Sequence, residues 1–237
     1  LDVLGAESEG LIGYLIEQEL ASLRPDGEVA TLLTQVEVDA DDPAFATPTK
    51  PIGRVLDPDE ARSLSERFGW RFVAEGDGVR RVVPSPEPRC IRELAAIRRL
   101  VDAGVLVVCA GGGGIPVVTE PAGGLRGVEA VIDKDRTAAL LAEALDAEAL
   151  LLLTDVPGVF EDWPEPRKRA LREAPPAHLR ALGLDAGSMG PKVEAACRFA
   201  ERTGGFAAIA ALDDARRALE GEAGTRVRAD AAEPVFW

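Results

Sequence analysis

A chain of 237 residues, 46% hydrophobic and 29% charged, holds enough apolar material for one large α/β domain or two small ones. Its formal net charge of −14 at pH 7 opposes contact with a polyanion, so nucleic acid is excluded as a partner, although a small anion can still be held where cations and backbone amides converge. No apolar run approaches the roughly 20 residues of a membrane span, a single histidine excludes a histidine-based triad or a multi-histidine zinc site, and three cysteines lack metal-type spacing.

The chain starts almost inside an element. Leu11, Ile12, Leu15, Ile16 and Leu20 follow helical spacing. Val29 to Val38 reads as one buried strand. From Asp39 the chain turns rich in proline and aspartate, with a short helix over Pro58 to Phe68 and a hairpin at "EGDGV". Residues 39–88 therefore read as a small excursion, a lid on the main domain. Regular alternation follows: a helix over Cys90 to Asp102, strand "VLVVCA" with no polar alternation and so covered on both faces, a run of four glycines, and "VEAVI" as the end of a buried element. A helix from Asp135 to Leu145, the buried strand "EALLLLTDV", a helix from Ser188 to Arg202, the strand "FAAIAAL" and a helix from Asp213 complete it. Such alternation predicts a mostly parallel sheet with helices on both faces. Cys109 in a strand and Cys197 on a helix, with Cys90, read as reduced core thiols of a cytoplasmic protein. His178 reads as an ordinary surface residue on a short helix.

Ligands of open parallel sheets bind beyond the carboxyl ends of the strands. After "VLVVCA" the glycines Gly111 to Gly114 offer backbone amides to an anion, although a plain tight turn also accounts for them. No Gly-Lys-Ser/Thr follows, and Pro116 interrupts any dinucleotide fingerprint. After "VEAVI" come Asp133, Lys134 and Asp135. Helix capping explains one aspartate. It leaves Lys134 as a cation at the positive end of a helix dipole, a conflict that a bound anion removes. Lys192 repeats the anomaly in the first turn of the helix behind Ser188. The chain has 27 basic residues, of which only Lys50, Lys134, Lys168 and Lys192 are lysine. A compact, mobile ammonium can follow a moving phosphoryl group better than a planar guanidinium. Lys168, in "EPRKRAL", reads instead as part of a solvated charged face.

The segments "PTKPIG", "RRVVPSP", "AGGGGIPV", "GVEAVIDKD", "LLTDV" and "AGSMGPKVEAACRF" together resemble the carbamate kinases of the amino-acid kinase superfamily, in order, from near Leu1 to about Val227. The resemblance implies a single α/β domain, a three-layer sandwich around a mostly parallel sheet, with a small protruding subdomain. It implies a homodimer and the reversible reaction of carbamoyl phosphate with MgADP to give MgATP and carbamate, a cytoplasmic step of arginine breakdown. It implies that Lys134 and Lys192 neutralise the transferring phosphoryl group, that Asp135 orients them and that Lys50 reaches down from the subdomain. Gly111, Gly112 and Gly113 would cradle the carbamoyl phosphate side. Thr154, Asp155, Val156, Phe160, Met189 and Gly190 would form the nucleotide side, with magnesium brought by ATP or ADP.

The chain departs from the family's pattern in two places. The family's opening strand and Gly-Gly-Asn loop are absent, so the expectation is a member cut at its N-terminus. "PIGRVLDPDEA" stands where an aromatic-containing stretch is usual. The alternatives are another amino-acid kinase with a different acceptor, and a nucleotide- or metabolite-binding paralogue without turnover.

Overall fold

The computed structural model describes residues 1–163, 168–184 and 189–237. They fall into two compact units, Leu1–Thr137 and Ala138–Trp237. Ser188, expected to cap a helix, lies outside the described residues.

The first unit opens with α1 (Asp2–Leu23), then β1 (Val29–Leu32) and β2 (Gln35–Val38). The segment expected as one strand is thus two, and they serve different sheets. β1 pairs in parallel with β7 (Leu106–Cys109), and β2 pairs in parallel with β8 (Ile115–Thr119). Both strands of the pair break at one level. The chain bends at Leu33–Thr34 on one side and at the glycine run on the other, bridged by the bond from Ile115 N to Thr34 O at 2.8 Å. The second sheet runs β6-β2-β8-β9, with β6 at Pro88–Ile91 and β9 at Leu125–Gly127. The helix expected from Cys90 accordingly starts later, as α4 (Leu94–Asp102), because Cys90 and Ile91 pair with β2.

α1 crosses β1 closely at Gly13, where a Cβ would lie 2.4 Å from Thr31 Cγ2. Its buried residues are Glu9 and Gly13, while Leu11, Ile12, Tyr14, Leu15 and Ile16 are exposed. After α2 (Pro43–Ala46), residues 50–83 form a sheet of their own. β3 (Lys50–Leu56), β4 (Arg71–Glu75) and β5 (Gly78–Val83) pair antiparallel in the order β3-β5-β4, with α3 at Pro58–Phe68. α3 has the predicted limits because Asp57 caps Asp59 N at 2.8 Å and Gly69 ends the helix at φ 69°. "VEAVI" is irregular rather than a strand: Val128 N and Val131 N bond to the carbonyls of Pro116 and Pro84. It leads into α5 (Lys134–Ala144).

The second unit carries a sheet in the order β10-β13-β14-β12-β11, with β10 at Ala149–Thr154, β11 at Phe160–Glu161, β12 at Arg169–Ala174, β13 at Phe206–Ala211 and β14 at Thr225–Arg228. β15 (Val235–Phe236) pairs with β12. Helices α6 (Pro176–Ala181), α7 (Met189–Thr203) and α8 (Ala215–Glu220) complete the unit. β13 shows why it is built of alanine. Ala207 and Ile209 join the core with Val193, Cys197 and Phe199 of α7, and Ala208 and Ala210 pack with Ala218 of α8. Both faces of one strand are covered, giving three layers.

Parallel pairing holds for β1–β7, β2–β8, β10–β13 and β12–β14, and the remaining pairs are antiparallel. The α/β class stands, and the expected parallelism holds in part: β1–β7 is wholly parallel, β3-β5-β4 wholly antiparallel, and the other two sheets are mixed. β7 is half-buried along its length, so it is not covered fully on both faces. Cys197 is buried and Cys109 half-buried, whereas Cys90 is exposed and does not belong to a core.

Candidate active site

In the first unit the chemistry gathers at the start of α5. Asp133 is 5% exposed and precedes the helix. Its Oδ1 accepts the amides of Asp135 at 3.0 Å and Arg136 at 3.3 Å, which is the capping arrangement. Its Oδ2 accepts the ammonium of Lys50 at 2.7 Å, from the first residue of β3. Burial raises the Asp133 carboxyl. The Lys50 hydrogen bond and charge and the two amides outweigh it, and the group stays below the ordinary aspartate range. Lys134 follows, with its side chain 60% exposed and its Nζ 3.4 Å from Oδ2 of Asp135, which is itself buried. The two predicted lysines of this unit are therefore each held by an aspartate of the same tripeptide.

The glycine run lies against this loop. A Cβ at Gly113 would sit 2.3 Å from Ile132 O and 3.2 Å from Lys134 N, so only glycine admits the contact. Thr137 Oγ1 donates to Gly113 O at 2.9 Å and ties the turn to α5. The three amides expected to cradle an anion are not equivalent. Gly111 N donates to Glu9 Oε1 at 2.9 Å and Gly113 N to Ala110 O at 3.0 Å. Among the described residues the amide of Gly112, at φ +68°, makes no bond within that internal set.

Behind the turn, Glu9 Oε2 accepts Thr34 N at 3.2 Å, and Thr34 Oγ1 accepts Ala110 N at 2.9 Å. Burial raises the Glu9 carboxyl, against the amides of Thr34 and Gly111 that lower it. Burial, with the Glu9 charge, also pushes the Cys109 thiol up to about 11.

In the second unit, Thr154, Asp155, Val156, Phe160 and Met189 line one cavity of about 580 Å³ beyond the end of β10. Thr154 Oγ1 donates to Asp155 Oδ1 at 3.1 Å. Gly190 follows Met189 in the first turn of α7, and Lys192, in that same turn, is buried. Sequence reasoning missed Trp163, Asp162, Leu182 and Leu184, which also line the cavity. Lys168 is exposed, as expected of a solvated face, and its Nζ lies 4.1 Å from the Trp163 ring centroid and 5.4 Å from that of Phe160, beside the cavity's aromatic pair. His178, on α6, meets Glu161 Oε1 at 2.7 Å.

The family model of the amino acid kinase family matches residues 50–210. A carbamate kinase of Haemophilus influenzae is 51% identical over 228 residues, covering 96% of this chain and 74% of that protein. The chain belongs to the carbamate kinase branch of the amino acid kinase family. A carbamate kinase of Pyrococcus furiosus is 46% identical over 236 residues, covering 96% of this chain and 75% of that protein. Among solved structures, the carbamate kinase of Giardia lamblia bound to AMP-PNP superposes with a TM-score of 0.86 at 39% identity, over 96% of this chain and 75% of that one. Shared fold and sequence thus extend through both units, the lysine-bearing loop and the cavity alike.

For Asp133 the local sequence held only half the signal, and for Glu9 none. Asp133 reads as a cap, but its lysine partner is 83 residues away. Glu9 gives no local sign, because an acid among helical leucines and isoleucines is ordinarily a solvent residue.

Proposed function

We propose that the chain is a carbamate kinase, catalysing reversible phosphoryl transfer between carbamoyl phosphate and MgADP to give MgATP and carbamate. The observation that carries this reading is the Asp133–Lys134–Asp135 loop, with Lys50 on one aspartate and Lys134 beside the other, packed on a glycine turn. Phosphoryl transfer asks little covalent work of a protein, and catalysis is alignment plus neutralisation of charge. Lys134 and Lys192 supply cations for the transferring group, Asp135 orients them, Lys50 adds a charge from the lid at 39–88, and the Gly112 amide faces the carbamoyl phosphate side. Carbamate is already an anionic nucleophile, so no general base is required.

The cavity of Thr154, Asp155, Val156, Phe160, Met189 and Trp163 takes the nucleotide, with Gly190 beside it. Among the described residues no group of three or more His, Cys, Asp or Glu is placed to hold a metal ion. We take magnesium to enter as part of the substrate, on the nucleotide's phosphates.

The reading extends to a homodimer. Leu11, Ile12, Tyr14, Leu15 and Ile16 of α1 are exposed, and a second copy of the chain is their occupant under a two-fold axis. Sedimentation of Leu15→Asp, expected to yield monomer, tests this. No helix among the described residues is long and apolar enough to cross a membrane. We place the activity in the cytoplasm, at the end of arginine breakdown.

The decisive assay is ATP formation from carbamoyl phosphate and MgADP. Lys134→Ala and Lys192→Ala are expected to lower kcat by about two to three orders of magnitude with unfolding curves unchanged. Near-normal rates in both variants overturn the site.

A further inference from the structure

An aspartate that only caps a helix uses one side-chain oxygen, and asparagine, serine or threonine serves as well. Asp133 uses both. Its Oδ1 takes the two amides of the cap, and its Oδ2, with the charge, goes to Lys50 at 2.7 Å. The Lys50 side chain is 31% exposed and that of Asp133 only 7%. The lysine keeps an open side from which to meet a ligand while its partner is sealed in.

Lys50 stands at the first position of β3, opposite Val83 of β5, where the sheet at 50–83 begins. Asp133 immediately precedes Lys134. The pair therefore joins the lid's own sheet to the loop that bears a catalytic lysine. In a chain with only four lysines among 27 basic residues, a lysine fills this place, where a purely structural bridge is better served by the arginine fork.

We propose that Asp133 is a positioning residue for Lys50. It fixes the lid lysine beside the start of α5, so that the ammonium is already in place when the phosphoryl group arrives. Without Asp133 the long side chain spreads over many rotamers, and that ordering cost falls on the transition state. This inference rests on the role given to Lys50 above.

The test compares Asp133→Asn, Lys50→Ala and the double variant, reading kcat and KM for carbamoyl phosphate alongside urea unfolding. Asparagine retains an oxygen for the cap and removes the charge. Lys50→Ala is expected to lower kcat/KM by roughly tenfold or more. Asp133→Asn is expected to lower it by a similar factor, and the double variant to be no worse than Lys50→Ala alone. Losses that multiply in the double variant, or a wild-type rate in Asp133→Asn beside an impaired Lys50→Ala, overturn the inference and leave the role of Lys50 standing. A wild-type rate in Lys50→Ala overturns both. Competitive acetylation of the unmutated protein gives a second reading, independent of how the variants fold: the Lys50 amine is expected to react more slowly than that of Lys134, and equal rates overturn the inference.

Discussion

Glu9 accepts a hydrogen bond of 2.9 Å from the amide of Gly111, 102 residues further along the chain. Its second oxygen takes the amide of Thr34. One buried carboxylate thereby closes the two bends at which β1 gives way to β2 and β7 to β8. Removing it strands two buried donors, each costing about 1–3 kcal/mol. Glu9→Ala is therefore expected to lose about 2–6 kcal/mol in urea unfolding. A change under about 0.5 kcal/mol would show that solvent reaches these amides.

Two glycines separate conformational from steric demand. Gly113→Ala drives a methyl group into Ile132 O, and the backbone around Lys134 must shift. Its kcat is expected to fall at least tenfold, because small misplacements at a reacting centre are expensive. Gly123, in the turn between β8 and β9, also has positive φ but nothing within 4 Å of its Cβ. Gly123→Ala is expected to cost about 1–2 kcal/mol of stability and leave kcat unchanged. Equal kinetics in the two variants would refute the close-approach argument.

Acid affects two carboxyls in opposite senses. Asp133 is held below its ordinary value, so its contribution to stability is present above the unfolded aspartate pKa of about 4 and is lost as pH falls through the lower folded value. Glu9 is raised, so its contribution is full below the unfolded glutamate pKa of about 4.3 and is lost as pH rises through the folded value. Urea midpoints measured from pH 3 to 7 are expected to fall less steeply toward acid in Asp133→Asn than in the parent protein. An unchanged slope would mean that the pair with Lys50 does not form in solution.

Lys168 lies over the rings of Trp163 and Phe160. Cation–π contacts near the surface are worth about 0.5–1 kcal/mol. Lys168→Ala is expected to raise the KM for ADP about two- to five-fold with little change in kcat, and Trp163→Ala to raise it further. Wild-type KM values in both would remove the aromatic pair from the nucleotide cavity.

Local signals sufficed where the deciding interactions are local. The limits of α3 follow from Asp57 and Gly69, the hairpin of β4 and β5 from its Gly76-Asp77 turn, and β13 from an unbroken apolar run. The tripeptide at 133–135 stood out because a cation at a helix start conflicts with the dipole. The break between β1 and β2 was hidden, since it is set by Glu9 and by the turn at Ala110, both distant in sequence. The glycine run was legible as special but not in its main demand, the approach of Gly113 to Ile132, which exists only once α5 is in place. α1 was legible as a helix but not in its orientation, because its inward face is chosen by one acid and one glycine against the run of leucines and isoleucines.

The sheet at 50–83 has a further consequence. β3, β4 and β5 find their ladder partners among themselves. Lys50 and Arg81 reach out from it, to Asp133 and Glu129 in the segment before α5. A module wired in this way tolerates insertion, deletion and drift in its own hairpins without disturbing the register of β2 against β8.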